Sequence, residues 1–176
     1  MQWRGPAARG RALALPERAR FEATVLPHLD AAYNLARWLV RDANLAEDVV
    51  QDAAVRALTG FGGFRGGEPR AWLLRIVRNA AYTALGKRTD PVADELALTE
   101  IPDPGPTPET RLQRAEETGR LEHALAALPL ELRECLVLRE LEELSYKQIA
   151  DVTGVPIGTV MSRLWRARQA LLREMA

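Results

Sequence analysis

The chain has 176 residues, 47% of them hydrophobic, with 24 basic side chains balanced by 24 acidic ones. That length suits one mid-sized domain or two small ones with packed cores, and the zero formal charge says nothing by itself about partners. The single cysteine, Cys135, excludes an internal disulfide and a cysteine-based metal cluster, and sitting in an apolar stretch it reads as a buried structural residue in a reducing compartment.

No stretch approaches the ~20 apolar residues that span a bilayer. The arginines near the N-terminus lack the continuous apolar core of a secretory signal. Charge is distributed in blocks. Residues 1–20 carry five basic and one acidic side chain, residues 64–89 six and one, and residues 145–176 five and two. Between them, residues 21–63 carry three basic and six acidic, 90–120 three and eight, and 121–144 two and six. Basic blocks attract phosphates, so the acidic blocks must face something else.

Residues 1–20 read as a basic tail, either mobile or touching nucleic acid as an arm, with order expected to begin near Pro16. Phe21, Val25, Leu29, Ala32, Ala36 and Leu39 recur at helical spacing and predict one helix to about Val40. Asp42 or Asn44 can cap the next helix, with Leu45, Val49, Ala53 and Ala57 facing inward. Glu47, Asp48, Gln51 and Asp52 lie outside that face as an acidic patch, for which ordinary solvation is the simpler local reading.

The run GFGGFRGGEP at 60–69 is too glycine-rich for a helix interior, yet it carries Phe61, Phe64 and Arg65. Pro69 suits the first turn of the helix that follows, with Glu68 beside the positive end of its dipole. Trp72, Leu73, Ile76, Val77, Ala80 and Leu85 make that helix's apolar set. Arg70, Arg75, Arg78, Asn79, Tyr82 and Lys87 make the other face. Aromatics that stack on bases, interleaved with cations that neutralise phosphates, suit single-stranded nucleic acid.

Residues 90–110 contain five prolines and a run of acids and read as a linker. A helix follows from Arg111 to Leu128, and Pro129 ends it and opens another that carries Leu132, Cys135, Leu136, Arg139 and Leu141. Ser145 and Gln148 form an S-x-x-Q capping box, Gly154 tolerates positive φ, and Thr159 can cap a final helix. In that helix Val160, Leu164, Ala167 and Leu171 share one face, and Thr159, Ser162, Arg163, Arg166 and Gln169 fall largely opposite. Two helices around a short glycine-containing turn form either a helix-turn-helix or a plain αα-hairpin with a solvated basic face. No histidine pair, Ser/His/Asp grouping or phosphate-binding glycine loop is present, so no catalytic residue and no metal or cofactor is expected.

The motifs AEDVVQDAAVRAL, FRGGEPRAWLLRIVRNAA and LPLELRECLVLRELEELSYKQIADVTGVPIGTVMSRLWRARQALL, in this order and separation, resemble a bacterial RNA polymerase sigma factor of the sigma-70 family. The two-domain form is similar to the extracytoplasmic-function group, which lacks sigma regions 1.1 and 3. The resemblance implies an all-α fold of two small helical domains joined by an acidic, proline-rich linker. Residues 21–89 would match region 2, residues 111–176 would match region 4 with its helix-turn-helix, and 90–110 would be the linker.

It further implies a cytoplasmic, non-enzymatic partner of core RNA polymerase (β and β′ subunits) and promoter DNA, regulated by an anti-sigma factor. Asp48, Gln51 and Asp52 match the polymerase-docking helix, which replaces the solvated-patch reading. Phe64, Arg65, Arg70, Trp72, Arg75, Arg78, Asn79 and Tyr82 match the part that captures melted −10 bases. Arg139, Pro156, Ile157, Thr159, Ser162, Trp165 and Arg166 match −35 DNA-facing positions, with Trp165 able to pack on the DNA backbone or turn into the core. A free-standing repressor or activator using the same helix-turn-helix would instead have no use for the acidic helix.

Overall fold

The computed structural model describes residues 15–87 and 108–176, the side chains of 108–115 excepted. The basic segment 1–14 and most of the 90–110 linker lie outside the described residues. The described chain forms eight α-helices and two single 3-10 turns, with no strand among these residues. They are α1 (Leu15–Val25), α2 (Leu29–Val40), α3 (Ala43–Gly60), α4 (Pro69–Gly86), α5 (Pro108–Ala127), α6 (Leu130–Glu140), α7 (Tyr146–Thr153) and α8 (Ile157–Met175). The 3-10 turns are Leu26–His28 and Phe61–Gly63.

The helix expected to run unbroken to Val40 is two helices. Pro27 lacks an N–H and cannot continue the ladder, so the chain tightens into a 3-10 turn and restarts at Leu29. The next boundary is sharp. Arg41 adopts a left-handed conformation (φ 56°), its N–H donating to the Arg37 carbonyl, and the Asp42 carboxylate accepts from the Leu45 N–H at 3.0 Å. Asp42 is therefore the cap of α3 and Asn44 lies inside it. Helices α2, α3 and α4 pack together through Leu35, Leu39, Val49, Leu73 and Val77, all essentially inaccessible to solvent.

In the second half, the Ser145–Gln148 box is fully formed. The Gln148 N–H donates to Ser145 Oγ at 3.2 Å, and the Ser145 N–H donates to Gln148 Oε1 at 2.8 Å. Gly154 ends α7 at φ 75°. Helix α8 begins after Pro156 without a side-chain cap, so Thr159 sits within the first turn rather than capping it. Of the expected inner face of α8, Val160, Leu164 and Ala167 are buried and Leu171 is half-buried.

The two halves are not separate bodies. One continuous apolar core runs through both, with α2 packed on α6 and α4 on α7. This explains two departures from the sequence pattern. Leu74 and Ala81 of α4 are fully buried although they lie off its expected apolar face, because α4 is covered from both sides. Residues 133–138 of α6 are all buried, since α2, α7 and α8 surround that helix. The seam is also polar. Arg133 Nη2 donates to the Leu39 carbonyl (3.4 Å) and Arg41 Nη1 to the Ala126 carbonyl (3.3 Å), each joining the halves by a guanidinium–backbone bond.

Leu138 has no exposed surface, so Leu138→Ala should destabilise the chain by about 2–5 kcal/mol in urea unfolding. Leu172→Ala, at a residue 65% exposed, should change stability by no more than about 0.5 kcal/mol.

Candidate nucleic-acid and polymerase interface

Three surfaces carry the residues singled out in the sequence. The first is the outer side of α3. Its inward stripe of Ala46, Val49, Ala53 and Ala57 is buried, which forces Asp48, Gln51 and Asp52 outward, where all three are exposed. Asp52 pairs with Arg56 one turn on at 2.8 Å, a half-exposed contact of little energetic weight. Val55 is 63% exposed beside these acids, so the face offers an apolar contact within a negative field.

The second surface is built by the glycine-rich loop and α4. Glu68 caps α4 by accepting from the Arg70 N–H, and Pro69 occupies the first helical turn. Gly66 and Gly67 take φ of 91° and 105°, which L side chains rarely adopt, and this folds the loop back over α4. Phe64 then lies 4.9 Å (ring centroids) from Trp72 and stacks at 5.9 Å on Phe61. Phe61 is buried, with an edge contact to Phe21 at 5.3 Å. Phe64 and Trp72 are thus the half-exposed end of an aromatic cluster anchored in the core. Beside them is a recess of about 340 Å³ lined by Phe64, Arg65, Trp72 and Arg75, and closed on its far side by Gln148 and Asp151 of α7. Arg75 and Asn79 are exposed next to it.

Arg70 and Arg78 are engaged differently. Both reach across the seam to buried carboxylates of the second half. Arg70 Nη2 pairs with Glu142, whose other oxygen accepts from Asn34 Nδ2 at 2.6 Å. Arg78 forks onto Glu134 (Nε 3.0 Å, Nη2 3.4 Å), and Arg163 of α8 reaches the same carboxylate at 3.4 Å. Glu134 is completely buried. Arg78 also stacks on the Tyr82 ring, 3.8 Å from its centroid. Burial works against the Arg78 charge, but Glu134 outweighs it and raises the guanidinium pKa. Burial also pushes the Tyr82 phenol up to about 12, with Glu134 pushing the same way.

The third surface is the outer side of α7 and α8. Pro156, Ile157, Ser162, Trp165 and Arg166 are exposed and Thr159 partly so. Trp165 is 64% exposed, so of its two possible orientations it takes the outward one. Arg166 Nε donates to the Ser162 carbonyl at 3.4 Å, which leaves its other donors outward-facing. Arg163, grouped in the sequence with the outer residues, is instead turned inward onto Glu134. Arg139 is half-buried. It donates to the Leu144 carbonyl at 2.8 Å and lies 5.3 Å from the Tyr146 ring, bracing the turn that aims α7.

The sequence reading did not single out Glu134, Glu142 or Asn34, which join the surfaces, and it placed Arg163 on the outer face. Glu134 did carry a signal: it lies on the Leu130, Leu138, Leu141 side of α6, where a carboxylate needs a buried partner. Cys135 has no exposed surface, and burial raises its thiol to about 11, in keeping with a structural role. No cluster of metal-binding side chains occurs among the described residues, and no described helix is long and apolar enough to cross a membrane.

Comparison with known proteins gives the family of the chain. The family model for sigma-70 region 2 matches residues 24–90 and that for sigma-70 region 4 matches residues 118–171. The RNA polymerase sigma-H factor of Pseudomonas aeruginosa is 36% identical over 169 residues, covering 88% of this chain and 86% of that protein. The ECF sigma-E factor of Escherichia coli is 36% identical over 139 residues, covering 70% of each chain. Among solved structures, the sigma factor RpoE in complex with the anti-sigma factor NepR from Bartonella quintana superposes with a TM-score of 0.73 at 29% identity, over 89% of this chain and 96% of that one. CnrH, solved with the cytosolic domain of CnrY, gives 0.61 at 26% identity, over 89% and 87%. The chain belongs to the sigma-70 family of RNA polymerase sigma factors, within its extracytoplasmic-function group. Sigma factors are specificity factors of transcription initiation, not catalysts.

The raised Tyr82 pKa gives stability that is whole below pH 10, the ordinary phenol value, and is lost as pH climbs towards 12. Ultraviolet titration should show one phenol ionising near pH 12, and Tyr82→Phe should remove that step.

Proposed function

We propose that the three surfaces divide promoter recognition between them. The outer face of α3 docks on core polymerase, with Asp48, Gln51 and Asp52 meeting basic residues of the β′ subunit. The loop–α4 surface takes melted −10 bases. Phe64 and Trp72 offer stacking that offsets part of the few kcal/mol lost when a base leaves the duplex, while Arg65 and Arg75 neutralise phosphates. Arg70, Arg78, Asn79 and Tyr82 extend that surface along α4. Helix α8 enters the major groove of −35 duplex DNA, with Ser162 and Arg166 reaching base edges and Pro156, Ile157, Thr159 and Trp165 packing on sugar and methyl groups. Arg139 serves this surface chiefly by holding the α6–α7 turn. The chain supplies binding energy rather than chemistry, and it acts where promoter and polymerase meet, in the cytoplasm.

The observation that carries this reading is the coexistence of an exposed acidic helix face with two separate DNA-type surfaces in one chain. A free-standing repressor would have no use for the first. Ile157, Met161 and Trp165 also leave an apolar strip on the outside of α8, 44%, 53% and 64% exposed. An anti-sigma factor is the partner that fits this strip, as both superposed relatives were solved with such an inhibitor or its counterpart.

Run-off transcription with core polymerase and a promoter library tests the activity and reads the promoter together. Asp48→Ala or Gln51→Ala should abolish polymerase binding in a pull-down while duplex DNA binding by the chain stays intact. Arg166→Ala should weaken −35 duplex binding by ~1–3 kcal/mol at fixed salt, measured by fluorescence anisotropy.

A further inference from the structure

The aromatic cluster behind the loop–α4 surface reaches beyond the residues that would touch a base. The chain has three phenylalanines, Phe21, Phe61 and Phe64, and all three meet there. Phe61 is the hub. Its ring stacks on Phe64 at 5.9 Å and 17°, meets Trp72 at 6.3 Å, and lies against the edge of Phe21 at 5.3 Å and 86°. The Arg20 guanidinium sits over the same ring, 5.5 Å from its centroid. Phe61 is buried and cannot itself meet a base, whereas Phe64 and Trp72 keep half-exposed surface.

The segment that carries Phe64 has little to order it besides these rings. Five of the eight residues 60–67 are glycines, which bring no side chain to the packing. The Phe64 N–H donates to the Phe61 carbonyl at 2.9 Å, closing the 3-10 turn, and beyond it the chain bends back at Gly66 and Gly67. Aromatic pairs favour edge-on and offset arrangements and add to the stability given by their buried area, so the rings can supply the order that this backbone lacks. Helix α1 depends on the same contact from the other side. It has 11 residues, fewer than the ~12–15 at which an isolated helix becomes even marginally stable. Phe21 and Val25 are its buried residues, and its Arg18–Glu22 pair is exposed and adds little. The edge of Phe21 on Phe61 therefore anchors α1 and braces the loop at once. All five side chains belong to α1, the loop and α4.

We propose that Arg20, Phe21 and Phe61 are positioning residues of the loop–α4 surface. Docking of α1 fixes Phe61, and Phe61 holds Phe64 and Trp72 in the orientation that stacks on unpaired bases. This rests on the reading of that surface as the site for melted −10 bases. A platform held in place before a base arrives loses less conformational freedom on binding it. Bases become available only as the strands part, so the brace acts on promoter opening and leaves duplex recognition and polymerase docking alone. Arg20 and Phe21 act through Phe61.

Fluorine NMR reads the brace directly. The full chain labelled with 4-fluorophenylalanine gives three resonances, one from each phenylalanine of the cluster. Phe64→Leu identifies the Phe64 line. Phe21→Leu keeps an apolar anchor on α1 but removes the ring edge. Arg20→Gln, at an exposed residue, removes the cation without endangering the fold. Both should shift or broaden the Phe64 line, with helical circular dichroism unchanged.

Holoenzyme reconstituted from each variant and core polymerase is then given the promoter selected by run-off transcription, and permanganate reactivity of its −10 thymines times the opening. Opening should slow about two- to fivefold in Arg20→Gln and about two- to tenfold in Phe21→Leu. Arg20→Lys, which keeps a cation over Phe61, should restore most of the rate and of the Phe64 line. Closed-complex affinity and polymerase affinity should be unchanged. A Phe64 line that stays in place in both variants overturns the proposal, as does a moved line with opening at the unsubstituted rate. Loss of closed-complex affinity as large as the loss of opening rate overturns it too, because α1 would then serve duplex recognition. If Phe64→Ala and Trp72→Ala open the promoter at the unsubstituted rate, the −10 reading of the surface falls instead, and the fluorine lines still judge whether α1 holds Phe64.

Discussion

Everything in this molecule turns on a carboxylate with no access to water. Glu134 sits at the centre of α6, and burying a lone charge would cost many kcal/mol. Two guanidiniums repay that cost. Arg163 comes from α8 of the same half and Arg78 from α4 of the other. The first contact ties α8 to the helix beneath it and so sets its angle to the surface. The second ties the two halves of the chain together. Losing one arginine leaves the carboxylate underpaired, and breaking a buried pair of this kind typically costs about 3–5 kcal/mol. A single side chain thereby couples the pose of α8 to the surface of α4.

Around that centre, the local devices are independent of one another and mostly short-range. The reciprocal bonds of Ser145 and Gln148 start α7, the left-handed Gly154 ends it, and Pro156 starts α8. Asp42 starts α3 and thereby sets the rotation that turns its acids outward. Each of these supplies about 1 kcal/mol or less, so none determines the fold alone. Their agreement with the apolar periodicity does. The larger energies lie where helices cross, at Leu35, Leu73, Leu138, Ile149 and Leu164.

These two scales explain what could be read from the residues. The capping box, the glycine stop, the inner stripes of α3 and α8, the outward acids and the family itself are all written in spacings of three, four and seven residues. Pro27 was visible too, but the strong apolar periodicity on both sides of it outweighed its effect and hid the break between α1 and α2. What spacing could not show was the contact between halves. Leu74 and Ala81 depart from the stripe of α4 because a second partner covers them, and that partner lies more than sixty residues away. Likewise Arg70 and Arg78 have the composition of a DNA-binding face, and nothing in their neighbourhood names Glu142 or Glu134 as what they hold. Arg163 was placed outside because a helical wheel assigns a side, whereas a long side chain can bend back to a buried charge.

The turn at Gly66 and Gly67 bears on how such a loop can diversify. Neither glycine is crowded, as a methyl group built on either would meet nothing within 4 Å. The constraint is purely torsional, at φ of 91° and 105°, and a side chain with the wrong handedness costs about 1–2 kcal/mol at each. A substitution at either glycine therefore meets a torsional penalty that one at a neighbouring position does not. Arg65, which is exposed, can change identity while Gly66 and Gly67 hold the bend, whereas Phe64 is tied to Phe61 and Trp72 and Glu68 to the start of α4. Side chains at the rim of the recess can therefore be exchanged while the bend that presents them is kept.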